Sequence, residues 1–155
     1  MSLRLLFPRA LLLCIALLAP GAANATGSLD CSIEDRAVAF SLTAVFGHGL
    51  GSPISNLQAS LALKAKDAPA GPPEVSFGSE HLVHSWLRGR EIRLHLYREP
   101  AEGERGPALE LVIETRGSGS DADSATGRYE MTASRVENGQ EKTRIYKGKA
   151  RCGAG

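Results

Sequence analysis

Asn138-Gly139 lies between two long alternating runs, residues 128–137 and 140–152. Asn-Gly is a preferred filling of a two-residue type I′ turn, because both central positions take positive φ. Pairing outward from that turn sets Ser134 against Thr143, Met131 against Tyr146 and Glu130 against Lys147. One face of the resulting hairpin carries Tyr129, Met131, Ala133, Tyr146, Gly148, Ala150 and Cys152; the other carries Glu130, Thr132, Ile145, Lys147, Lys149 and Arg151. Period-2 alternation of this kind makes the first face the buried one, and a slip of one residue would reverse it. The hairpin therefore ends in an inward thiol that needs a partner.

The other two cysteines, Cys14 and Cys31, stand near the start of the chain. Arg4 and Arg9 precede an apolar run, Leu11–Leu18, which ends at Pro20-Gly21 and the triplet Ala23-Asn24-Ala25. A basic start, a short apolar centre and an A-x-A site are the marks of a secretory signal. The run is too short for a membrane span, which needs about 20 residues, although an uncleaved anchor is the rival reading. Bulky Leu13 before Cys14 argues against lipoprotein processing. Cleavage after Ala25 removes 25 of 155 residues and leaves 130, the length of one domain, residues 26–155.

Cys14 leaves with the signal, so Cys31 and Cys152 are expected to form one disulfide in an oxidising compartment. A loop of roughly 120 residues closed in this way is worth about 4.7 kcal/mol in chain entropy, before strain. A thiol metal site or a redox pair fits less well, since neither cysteine has a C-x-x-C neighbour.

Between the cysteines the chain reads as strands and turns. Residues 26–35 form a polar lead-in, and Val38, Phe40, Leu42, Ala44 and Phe46 mark a first strand over 36–46. Residues 47–53 are a glycine-rich loop. The run after it alternates again and is not helical, so no phosphate cradle is expected. Leu57, Ala59, Leu61 and Leu63 place a strand over 56–66, Pro69 to Pro73 interrupt, and 74–77 is a short strand. Residues 80–87 fit either one helical face or a strand turning at Arg88-Gly89. Ile92, Leu94 and Leu96, and then Leu109, Leu111 and Ile113, mark two more strands, with loops over 98–107 and 117–125.

The reading is all-β, with about eight antiparallel strands in a small up-and-down barrel or a two-sheet sandwich, and the first and last strands stapled. Parity supports an even count. An odd number would leave Cys31 and Cys152 a strand's length apart, about 17–20 Å, whereas a disulfide needs Cα atoms within about 7 Å.

Candidate chemistry is sparse. His81, His84 and His95 offer two converging ligands at most, with no carboxylate marked beside them, so no metal or other cofactor is expected. Asp121 and Asp123 come after a glycine-serine stretch but lack calcium-loop spacing. No G-x-S-x-G elbow exists, and Glu110, Glu114 and Glu130 look like an exposed strand face.

Trp86, the only tryptophan, stands near Arg88 and Arg90, residue types that dominate contact surfaces. It is expected to plug one end of the barrel, with a binding patch of Trp86, Arg88 and Arg90 as the alternative. The remaining basic groups, Arg88/Arg90/Arg93 and Lys147/Lys149/Arg151, read as wet strand faces.

Without the signal, 16 basic residues stand against 17 acidic ones, which is not a nucleic-acid-binding balance. The expectation is an exported bacterial domain, periplasmic or secreted, with no span in the mature chain. Its role is read as non-catalytic binding of an envelope protein, a glycan or a small apolar ligand. A barrel carrying a small molecule or lipid and a loop-built hydrolase are the competing readings.

Overall fold

The computed structural model describes residues 26–47, 54–117 and 124–155. Residues 1–25, where the signal is expected, the glycine-rich stretch 48–53 and residues 118–123, which hold Asp121 and Asp123, lie outside them.

The described chain is a single nine-stranded sheet, curved into a nearly closed barrel, with no α-helix among the described residues. The strands are β1 (Thr26–Glu34), β2 (Val38–Gly47), β3 (Ile54–Leu63), β4 (Val75–Gly78), β5 (Leu82–Arg88), β6 (Glu91–Arg98), β7 (Ala108–Gly117), β8 (Ala125–Glu137) and β9 (Gln140–Ala154). Their spatial order is β4-β3-β2-β1-β9-β8-β7-β6-β5, and every pairing is antiparallel.

The closing hairpin has the register expected of its turn: Ser134 faces Thr143, Met131 faces Tyr146 and Glu130 faces Lys147. Asn138 and Gly139 both have positive φ, 53° and 76°. Cys152 faces Cys31 directly across β9 and β1, Cα to Cα 4.1 Å, and the two are bonded.

The strands number nine where about eight are expected, and the difference lies at the start of the domain. Residues 26–34 are a full strand and not a polar lead-in. Gly27, Leu29, Cys31 and Ile33 point inward and Ser28, Asp30, Ser32 and Glu34 outward. Only two large apolar side chains mark that run, so its outward half dominates the composition. The strand ends where Asp35 turns the chain: its Oδ1 accepts the amides of Ala37 and Val38 at 2.8 and 2.9 Å, an Asx turn.

Nine elements nevertheless obey even parity. Tracing antiparallel pairings outward from β1 and β9 makes β4 and β5 run the same way. They are two halves of one stave, broken by a 3₁₀ turn at Ser79–His81. The first half pairs with β3 and the second with β6. The Ser79 hydroxyl accepts the Leu57 amide at 3.0 Å across the break. Residues 80–87 are thus a short turn followed by a strand, and the two ends of the sheet meet at this seam.

The interior is filled with side chains. Leu29, Leu42, Leu94, Leu96, Leu111 and Met131 are among those with at most 2% exposure. Two glycines let the wall curve. A Cβ on Gly127 would lie 1.9 Å from the Glu114 carbonyl oxygen, and one on Gly148 would lie 2.7 Å from the Tyr129 ring. Gly148 stands opposite Tyr129 in register, so the missing side chain is the space the ring occupies.

Candidate functional site

Alternation along β5 decides where its side chains go. Ser85 and Leu87 pair with inward Leu94 and Ile92; Trp86 pairs with outward Arg93. Trp86 is therefore on the outer wall and 42% exposed. The expectation that it plugs the barrel is overturned, because a bulge between Leu82 and His84 sets the parity of the strand. Leu82 and Leu87 are the β5 side chains that pack against the core.

Beyond Trp86 the chain turns at Gly89, φ 60°. Trp86, Arg88 and Arg90 come together with Glu91 and Arg116 around one shallow groove. Sequence proximity predicted the first three. Arg116 arrives from β7, where it faces Glu91 in register and bonds its carboxylate. That bond, more than any other influence, holds the Glu91 carboxyl below the usual range, and Arg93 and Arg88 add to it.

A neighbouring groove is lined by Arg93, Glu114, Arg116 and Arg128. Arg128 reaches Glu114 through Nε and Nη2, at 3.0 and 2.7 Å. Arg116 and Arg128 carried no sequence signal for this site. They stand in separate strands, and only the β6-β7-β8 register brings Arg116 to the Trp86 groove and Arg128 to the neighbouring one.

The histidines separate. Nδ1 of His81 accepts the Gly78 amide at 2.9 Å, which fixes it in the seam. His84 faces His95, and Nε2 of His95 lies 2.7 Å from Glu110 Oε1. A carboxylate does stand beside His95, contrary to the sequence expectation; it sits diagonally on β7, and the strand pairing had to be known to place it. The outward neighbours of His95 in register and along its strand are His84, Val112, Arg93 and Tyr97, which include no serine, threonine or cysteine. Among the described residues no three His, Cys, Asp or Glu side chains converge as a metal site.

The three candidate carboxylates are engaged separately. Glu110 meets His95, Glu114 meets Arg128, and Glu130 meets Lys147 at 2.7 Å.

The fold and this site define a class: a disulfide-stapled, nearly closed β-barrel with a filled core and an arginine-tryptophan patch on its outer wall. Protein-family models, curated proteins and solved structures were compared with the chain, and none matches.

Proposed function

We propose that the protein is an exported, non-catalytic binding domain of the bacterial envelope, periplasmic or secreted, and that its contact surface is the Trp86–Arg88–Arg90 patch. One observation carries the reading. The sole tryptophan is exposed on a strand whose inward positions are already satisfied, and arginines from β5, the following turn and β7 surround it. Trp and Arg are the side chains most often found at the energetic centre of an interface. The disulfide suits an oxidising compartment, and the first 25 residues have the pattern of an export signal. A small apolar ligand in the lumen would have to displace Leu42, Leu96 and Leu111, so the outer wall is the better candidate.

The test is the triple variant Trp86→Ala, Arg88→Ala, Arg90→Ala, probed against purified envelope glycans and proteins. Binding lost with thermal unfolding unchanged supports the patch. Binding retained by the variant refutes it. N-terminal sequencing of the exported protein should begin at Thr26.

A further inference from the structure

The patch continues around the wall. Each of the five strands β5 to β9 presents a cation outward at the same end of the barrel: Arg88, Arg93, Arg116, Arg128 and Arg151, with Lys149 beside the last. They occupy two adjacent cross-strand rows. One row runs Arg88, Glu91, Arg116, Thr126, Arg151 and the other Trp86, Arg93, Glu114, Arg128, Lys149. Six cations thus face two acids, although the whole chain has a formal charge of only +1. Glu91 binds Arg116 and Arg93, and Glu114 binds Arg128. Among the described residues no carboxylate lies within ion-pairing distance of Arg88, Lys149 or Arg151. On β1 the first row gives way to hydroxyls, Ser32, Ser41, Ser60 and Ser76 in succession.

We infer that this strip binds a linear acidic polysaccharide laid across the strands, with Trp86 stacking on a sugar ring at one end. The inference rests on the proposed binding role and names its ligand. Neighbouring strands are about 4.8 Å apart, so the cations step around the wall over about 19 Å, a spacing suited to a polymer with charge on each residue. Guanidinium groups match carboxylates in a planar fork, and an exposed indole offers a flat apolar face to a sugar. Shape favours a polymer over a membrane. The strip spans five of the nine strands of a convex wall, so a planar bilayer would touch only part of it, whereas a flexible chain follows the curve.

The experiment uses the protein expressed from residues 1–155 and polygalacturonate as the probe. Binding is followed by calorimetry and by the fluorescence of Trp86, the sole tryptophan. Saturable binding is expected at low salt, weakening about tenfold or more as salt rises fourfold, because condensed counterions are released. The variant Lys149→Ala, Arg151→Ala lies on β9, remote from the tryptophan groove, and should lose affinity about fivefold or more with its thermal unfolding unchanged. Unchanged affinity in that variant confines the site to the Trp86 groove; it overturns the strip while leaving the proposed binding role standing. Absence of binding to polygalacturonate at low salt, or tighter binding to anionic phospholipid vesicles or to single-stranded DNA, overturns the polysaccharide assignment.

Discussion

The hydroxyl of Tyr129 donates to Oδ2 of Asp35 at 2.6 Å and ties positions 94 residues apart. Asp35 is the residue that turns β1 into β2; Tyr129 fills the space that Gly148 leaves on the inner wall. One carboxylate thus holds the first hairpin and anchors it to the last. Burial pushes the Asp35 carboxyl up, but hydrogen bonds from Tyr129, Val38 and Ala37 outweigh it, and the net shift is downward. Burial first, and Asp35 second, raise the Tyr129 phenol well above its ordinary value, so it remains a donor.

Tyr129→Phe should therefore cost about 1–3 kcal/mol at neutral pH, since a partly buried carboxylate loses a charge-assisted partner. The sign of the pH dependence comes from the lowered folded-state value. The stabilisation is fully present above the ordinary carboxylate range and disappears as pH falls through the depressed value. Denaturant unfolding between neutral and acid pH should show a shallower stability loss in Tyr129→Phe than in the wild type. Parallel curves would remove Asp35 from the acid response.

Breaking the staple should cost about 2–5 kcal/mol. β1 and β9 share four register pairs from Leu29–Ala154 to Ser32–Arg151, and Ser28 and Gly155 exchange two backbone hydrogen bonds beyond them, so the joint beside the staple is a short ladder. Cys31→Ser, Cys152→Ser and the double variant should unfold at a similar, lower denaturant concentration, matching the wild type in reductant. An unshifted midpoint would mean that the other pairings already close the sheet.

Gly127→Ala should be more damaging than Gly148→Ala. At Gly127 a methyl group meets the backbone of β7, which must move; at Gly148 it meets the Tyr129 ring and the Asp35 carboxylate, which are side chains. Overpacking costs typically 1–3 kcal/mol, and the Gly127 variant should fall at or above the upper end. Thermal unfolding of both variants gives the order, and the reverse order would contradict the tight β7–β8 contact.

Tyr146→Phe should be neutral or stabilising by up to about 1 kcal/mol. The Tyr146 side chain is 8% exposed and its buried hydroxyl meets no hydrogen-bond partner among the described residues. Removing an unsatisfied buried polar atom relieves its desolvation penalty. A loss of more than 1 kcal/mol in chemical denaturation would show that the hydroxyl has a partner.

Trp86→Ala should change stability far less than Leu94→Ala. An exposed outer-wall side chain costs roughly half a kcal/mol or less to remove, whereas a fully buried leucine costs about 2–5 kcal/mol. Equal losses by calorimetry would place the indole inside.

Much of the architecture was legible before any coordinates. The Asn138-Gly139 turn set the last hairpin's register, and the alternation of Val38 to Phe46 and of Ile92 to Leu96 identified inward faces that the structure bears out. β1 was missed because its inward positions include a glycine and a cysteine. Local alternation could not say that β4 and β5 share one stave, since Leu82, Val83, Trp86 and Leu87 fit one helical face as well as a strand and the Ser79–His81 turn carries no apolar signal.

The site divides along the same line. Arg88 and Arg90 stand near Trp86 in the chain, so their grouping was visible. Arg93 was visible too, but only as a wet face. Arg116, Arg128 and Arg151 join them through pairings between strands far apart in sequence.

Period-2 alternation and turn chemistry act over a few residues, so the chain by itself determined every strand but β1, most inner faces, the closing hairpin and the two available thiols. Which strands lie side by side depends on closing the sheet around one core. That closure alone decided the seam at β4 and β5, the outward Trp86, the link from Tyr129 to Asp35 and the strip of cations. Outside the closing hairpin, cross-strand neighbours are set by long-range register, and no local sequence pattern encodes it.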